Sequence, residues 1–340
     1  MHLFDTPEGF VFHYEHGKHI QSRRFFLPTK KGRYIVSVSA IFFPLQLHDS
    51  LRMPTPSSQF VIPHGGDVCS LFINKSLLNF FIMDIMGHGF AVHKIADRLI
   101  SKIIEQRNNP HLVRAVGDYW KRESPSLEKS LEGEMQTAIQ DAVNKGYSQD
   151  KIQALVGQVQ HVYTAGFIAA SQVVINMDER LILFENYGEP AIYFILLDQN
   201  HGNILSFKTF DQGSAALGYA EEYKQFKESI PEDVTHFKIV MFTDAFTDQT
   251  ISVSDNQQID VFLLQHIHIE ALRKNVKDHI IGTHRSDIFA REKIIKDVLI
   301  HMASQPPEVI VNFFYTLFKQ FNQKVQADDM TLLVADFELQ

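Results

Sequence analysis

Four short stretches of the sequence set an aspartate beside apolar residues: Asp67 in HGGD, Asp84 in FFIMDIMGHG, Asp244 in MFTDAFTD, and the pair Asp328 and Asp329 in ADDMTLLV. A carboxylate next to a run such as FFIM is costly to bury unless something positive neutralises it, and a bound cation is one such group. Hard divalent ions such as Mg2+ or Mn2+ take oxygen ligands and keep several waters, so a few carboxylates from separate strand ends suffice to hold them. Glycines at 65, 66, 87 and 89 would let backbone approach such an ion closely. Any one of these aspartates, taken singly, is more simply a turn residue or a cap. Their joint placement, each at the end of a strand-like run, points to a shared site.

The elements that must position them follow from apolar periodicity. Residues 34–44 (YIVSVSAIFFP) and 70–85 (SLFINKSLLNFFIMDI) are rich in β-branched and aromatic residues and predict strands, the second a hairpin turning at Asn74-Lys75. The Pro/Ser-rich stretch 45–63 between them is long for a connection inside a compact domain and reads as a lid or an insertion. From Phe90 to about residue 160 the pattern is helical, with Val92, Ile95, Ala96, Leu99, Ile100 and Ile103 on one face. Strand signals return in 162–184, with a turn at 176–180, and again at 191–197 and 237–243. Residues 257–325 read mostly as helices, and TLLVADFE closes the chain as a strand. Strands at both ends with helices in two blocks between them predict an α+β domain with antiparallel sheets. There is no internal repeat and no clear linker, so one domain is expected.

Composition narrows the function classes. A formal charge of -8, without long runs of one sign, argues against a nucleic-acid partner. The single cysteine, Cys69, forms no internal disulfide and reads as a small core residue. The 17 histidines are scattered without H-E-x-x-H or Cys/His ligand spacing, which speaks against zinc. No apolar run approaches the roughly 20 residues of a spanning helix, and the start MHLFDTPEGF lacks the basic and apolar regions of a leader. No membrane association and a cytoplasmic location are therefore expected.

Seven segments, in order, resemble the bacterial branch of the PPM-type protein phosphatases typified by stage II sporulation protein E. HGGDVCSLF resembles that family's Gly-Gly-Asp strand end, and FIMDIMGHGFAVHKIADRL its Asp-x-x-Gly-His-Gly turn and long helix. HVYTAGFIAA, ENYGEPAIYFI, SAALGYA, VMFTDAFTDQ and ADDMTLLVADF resemble its Thr-containing strand, Asn-Ala-Gly-His-Pro hairpin, Leu-Gly turn, Thr-Asp-Gly segment and closing Asp-Asp-x-Thr strand. The resemblance spans roughly residues 34–338. It implies two packed antiparallel β-sheets flanked by helices on both faces, an α-β-β-α sandwich with the metal site at one end. It further implies a phosphatase domain over 34–340, an extension over 1–33, and insertions near 45–63, 105–160 and 257–290.

On this resemblance two divalent cations, Mn2+ or Mg2+, are held by Asp67, Asp84, the backbone carbonyl of Ile85, Asp244 and Asp328, with Asp329 a second choice for the last position. Two ions about 4 Å apart lower the pKa of a shared water toward 7 and aim it at a phosphoryl group of phosphoserine or phosphothreonine. His88 is placed to protonate the departing oxygen, although His is also an ordinary turn residue. Arg23 and Arg24, near Lys30, Lys31 and Arg33, are candidates for a substrate-phosphate contact, against the ordinary role of such a run as a solvated basic face. The family's typical substrate is a phosphorylated anti-sigma-factor antagonist; a regulatory protein or a second copy of the chain is a further expected partner. Three departures stand out: Ala245 where the family has glycine, no histidine in the 186–189 hairpin, and Ser70 where a second acid is common. They leave a second reading open, a catalytically weak or inactive phosphatase fold kept as a regulatory binding module.

Overall fold

The nine-residue strand β7, Leu77–Ile85, is buried along its length, and this explains why its sequence is an unbroken apolar run instead of an alternation. Leu78, Phe80 and Ile82 face one way into a core between two sheets, while Phe81, Met83 and Ile85 face the other way under helices. A strand with a core on each face can only belong to a layered sandwich.

The computed structural model describes residues 9–12, 20–43, 53–54, 60–61, 66–85, 90–150, 152–153, 156, 168–188, 191–198, 203–210, 217, 224–248, 251–253, 256–281, 288–322 and 329–340. Two six-stranded sheets dominate them. Sheet one runs in the order β1 (Gly9–Phe12), β6 (Val68–Asn74), β7, β8 (Ile168–Asn176), β9 (Leu181–Tyr187) and β12 (Phe226–Ser229). Sheet two runs β11 (Ile204–Phe210), β10 (Ile192–Leu197), β13 (His236–Phe242), β14 (Met330–Leu339), β3 (Gly32–Phe43) and β2 (Ile20–Thr29). Every neighbouring pair is antiparallel. A small separate ladder joins β4 (Met53–Pro54) to β5 (Phe60–Val61), inside the stretch expected as a lid or insertion.

Between the sheets Val36, Val38, Phe80, Ile82, Phe194 and Phe237 pack into one core, in which Phe237 stacks on Phe337 at 4.4 Å. Helices α1 (Phe90–Glu105) and α2 (Leu112–Asn144) cover sheet one. The α1 stripe Val92, Ile95, Ala96, Leu99 and Ile103 is fully buried, as its spacing predicts, and each of the larger side chains contributes about 1.5–3 kcal/mol. On the outer face of sheet two lie α3 (Ala245–Asp248), α4 (Asn256–His266), α5 (Glu270–His279), α6 (Ile288–His301) and α7 (Pro307–Tyr315). The fold is thus an α+β sandwich of two antiparallel sheets with helices outside each.

The turn between β8 and β9 carries Arg180 with φ of +53°, and this residue crosses to the second sheet. Its guanidinium donates to the Tyr34 hydroxyl at 2.8 Å and to the carbonyls of Ile230, Pro231 and Val234. The strands β1 and β2 fall in the region expected as an extension before the first strand; each instead forms an edge of a sheet. As an edge strand β2 tolerates Pro28 and leaves Ser22, Arg24 and Phe26 exposed, which hides its strand pattern from a search for apolar runs.

Candidate functional site

Asp67 immediately precedes β6, and Asp84 is the penultimate residue of β7. The antiparallel register of these strands pairs Val68 with Met83, so one further step sets Asp67 opposite Asp84. Both share the face of residues that fill the inter-sheet core: Asp67 with Cys69 and Leu71, Asp84 with Phe80 and Ile82. Residues directly opposite on one face have Cβ atoms about 4.5–5.5 Å apart. The two carboxylates are buried, at 0% and 9% exposure. Like charges so placed repel unless something positive lies between or beside them. Burial, and after it the negative charge of Asp67, push the Cys69 thiol far above its ordinary value, so this cysteine is an inert core residue.

Sheet two meets Asp67 from across the gap. Thr243, directly after β13, and Thr331, the second residue of β14, are both fully buried on the inner face. The Thr331 hydroxyl donates to Asp67 Oδ2 at 2.6 Å and the Thr243 hydroxyl to the same oxygen at 3.1 Å. The backbone N–H of Thr331 donates to Thr243 Oγ1 at 2.9 Å, and the Thr243 N–H donates back to the Thr331 carbonyl at 3.0 Å. Asp329 makes a second tie between the sheets: its Oδ2 accepts the Gly66 N–H at 2.6 Å. Position 66 leaves no room for a side chain, because a Cβ there would lie 2.6 Å from the Ile85 carbonyl oxygen and 2.8 Å from Val92 Cγ1.

Asp244 follows Thr243 and opens α3, where its carbonyl accepts the Thr247 N–H at 2.8 Å and the Thr247 hydroxyl at 2.7 Å. Ala245, which stands where the resembling family has glycine, has no positive φ: it starts the helix and is buried. The departure from glycine therefore costs nothing in backbone conformation. Asp328 and His88 lie outside the described residues, as do the glycines at 65, 87 and 89. Among the described residues no group of three or more His, Cys, Asp or Glu is close enough to hold a metal ion. The groups at this end, the carboxylates of Asp67, Asp84 and Asp329 and the Ile85 carbonyl, offer oxygen donors, the kind that suits Mg2+ or Mn2+.

Arg23 and Arg24 stand elsewhere. They line a cavity of about 440 Å3 together with Ser37, Ser39, His236 and Asp336. Arg24 pairs with Ser37, and Ser37 with Asp336, six residues along β14 from Met330. That is roughly 20 Å from the aspartate end of the sandwich. In the cavity wall Asp336 bridges Lys238, at 2.7 Å and 1% side-chain exposure, and His236, at 2.5 Å. Burial works to raise the Asp336 pKa, but His236 and Lys238 outweigh it and hold it below the usual range. Burial lowers the Lys238 pKa, and Asp336 only partly restores it. The difference is physical: the carboxylate has two neighbours hydrogen-bonded to it, while the ammonium leans mainly on one carboxylate.

Two sets of polar residues had no sequence signal strong enough to single them out. Thr243 and Thr331 sit inside quoted motifs, yet a threonine beside an aspartate is ordinary turn chemistry. Only the meeting of β13 and β14 over Asp67 distinguishes them. On the outer face of sheet one, Glu185 accepts from Gln225 Nε2 at 2.8 Å and lies 3.3 Å from His111 Nδ1. Burial raises its pKa, while His111, Gln225 and Arg114 pull the other way.

No family model matches the chain, and no curated protein sequence matches it. Solved PP2C-type phosphatase domains are similar in fold. The SiaA-PP2C domain of Pseudomonas aeruginosa is 15% identical, with 88% of this chain and 86% of that chain covered and a TM-score of 0.48. The RsbU and RsbW domains of Rv1364c from Mycobacterium tuberculosis are 13% identical over 88% of this chain and 60% of that one, with a TM-score of 0.45. The phosphatase domain and a regulatory fragment of SpoIIE from Bacillus subtilis are 12% identical over 94% and 71%, with a TM-score of 0.42. With identities and TM-scores this low, the residues themselves must carry any functional reading.

Proposed function

We propose that the chain hydrolyses phosphoserine or phosphothreonine in a protein substrate, at a site organised around Asp67 and Asp84. The observation that carries this reading is the register that sets these two buried carboxylates opposite each other at the end of the inter-sheet core. A divalent cation turns that repulsion into attraction. The residues that would hold two such ions are Asp67, Asp84, the Ile85 carbonyl, Asp244 and Asp328 or Asp329. Bound there, Mn2+ or Mg2+ supplies an activated water as nucleophile and neutralises the phosphoryl oxygens.

The remaining work falls to the chain itself. Thr243 and Thr331 hold the Asp67 carboxylate from the opposite sheet. The packed core beneath the site keeps water to one side. His88, which falls between β7 and α1 in the sequence, protonates the departing seryl or threonyl oxygen in this reading. The substrate is a phosphorylated regulatory protein, such as an antagonist of an anti-sigma factor. Hydrolysis of an aryl phosphate, measured with Mn2+ and with EDTA, tests the reading when repeated on Asp84→Asn and Asp244→Asn. Metal-dependent turnover that survived both substitutions would remove the site proposed here.

One observation favours the second reading, a binding module without turnover. Asp329 Oδ2 already accepts the Gly66 N–H, so part of this carboxylate's accepting capacity is spent on the protein. Binding of a phosphoprotein without any phosphate release, in Mn2+ or Mg2+, would support that reading over catalysis.

A further inference from the structure

We propose that Thr243 and Thr331 are positioning residues for the cation site, holding Asp67 so that one carboxylate oxygen is committed to the protein and the other is turned toward the ion. The inference rests on the metal-dependent reading above and assigns to these threonines a part in it that the aspartates alone do not supply.

The polarity of the network can be read from its donors. Thr243 Oγ1 accepts the Thr331 N–H, so its own proton is directed elsewhere, onto Asp67 Oδ2. The Thr331 hydroxyl donates to the same oxygen. Two hydroxyl donors on one carboxylate oxygen occupy its two lone-pair directions. The carboxylate plane is thereby set from outside its own strand. Both donors are themselves held: the two threonines are locked by a reciprocal pair of bonds, backbone Thr243 N–H to the Thr331 carbonyl and backbone Thr331 N–H to the Thr243 side-chain Oγ1. Each threonine is fully buried, so water does not compete for either bond. β-Branching adds a further constraint, because two heavy atoms on Cβ restrict χ1 and keep each hydroxyl aimed.

A rigid carboxylate matters here because a cation selects for the geometry of its ligands, and partners that orient a ligand typically change metal affinity by about 10–100-fold. A merely structural bond between the sheets would change stability and leave that affinity alone.

The test measures Mn2+ binding to the full chain by calorimetry, without substrate, for the wild type, Thr243→Val, Thr331→Val and Thr331→Ser. The expected result is a loss of about 10–100-fold in affinity in each valine variant and near wild-type affinity in the serine variant. Valine variants that fold and bind Mn2+ as the wild type does would overturn the positioning role while leaving the phosphatase reading intact. Should valine prevent folding, Thr331→Cys serves in its place against Thr331→Ser: weak binding in the cysteine variant supports the role, and equal binding overturns it. A wild type that binds neither Mn2+ nor Mg2+ would overturn both the role and the reading on which it rests.

Discussion

Gly66 and Ile85 touch backbone to backbone: a Cβ on Gly66 would stand 2.6 Å from the Ile85 carbonyl oxygen. That carbonyl belongs to the residue after Asp84, and Gly66 is the residue before Asp67. The two strand ends that bring the carboxylates together are therefore in contact through a position where no side chain fits. Gly66→Ala must push β6 and β7 apart at this end, at a cost of about 1–3 kcal/mol, the usual range for overpacking. Urea denaturation reads the loss directly. An alanine variant as stable as the wild type would show that the contact relaxes freely.

Removing a single carboxylate should abolish most turnover with little loss of fold. Asp67→Asn and Asp84→Asn are expected to lower Mn2+-dependent hydrolysis by about 10²-fold or more, comparable to removal of one group at an electrostatic centre. Steady-state rates on an aryl phosphate, with circular dichroism as a control for folding, make the comparison.

Metal should stabilise the chain. At an Mn2+ concentration about 100 times its dissociation constant the gain is about 2.7 kcal/mol, and EDTA should reverse it. Differential scanning calorimetry of the wild type and Asp67→Asn checks this: the shift belongs to the wild type and should shrink sharply in the variant.

Far from the aspartates, Asp336 neutralises Lys238, which is 1% exposed. Asp336→Asn would strand that ammonium and destabilise the fold by about 3–5 kcal/mol, while Asp336→Asn with Lys238→Met should recover much of the loss. Because the folded pKa of Asp336 lies below its unfolded value, near 3.9, its contribution is present above that value and disappears as pH falls through the folded one. Melting temperatures across the acid range, wild type against double variant, test both statements.

Glu185 carries the opposite sign. Its folded pKa is raised, chiefly by burial, above the unfolded value near 4.3, so the folded state keeps the proton longer than the unfolded chain does. Its contribution is fully present below the unfolded value and is lost as pH rises through the folded one. Glu185→Gln cannot ionise, and its melting temperature should gain on the wild type as pH rises above the unfolded value and through the folded one. Parallel curves for the two proteins would show that Glu185 does not titrate in this range.

The parts of the fold legible in the sequence are those where burial on both faces leaves an apolar run. β3, β7 and β10 are of this kind, as are the periodic stripe of α1 and the turns at Lys75 and Arg180, both at positive φ. Edge strands escaped. In β2 an arginine pair interrupts the pattern, in β11 Ser206, Lys208 and Thr209 do, and β12 is four residues long. α2 runs through Pro125, a residue that by propensity should have ended it. For the site, Asp67 and Asp84 were legible because charge beside an apolar strand is costly. Thr243 and Thr331 were not, since their importance depends on which strands become neighbours, and that pairing spans 88 residues.

The Arg180 cluster and the Asp67 threonine pair sit at opposite ends of the same sandwich, each joining one sheet to the other through buried polar bonds. Between them lies apolar packing that resists separation but offers little directional resistance to sliding. The sheets are thus riveted at both ends, with a further tie along one edge where Lys208 of β11 meets Glu228 of β12 at 2.6 Å. Shear between them would have to break all of these ties at once, so any rearrangement at the aspartate end that stays within its loops and helices leaves the two plates in register.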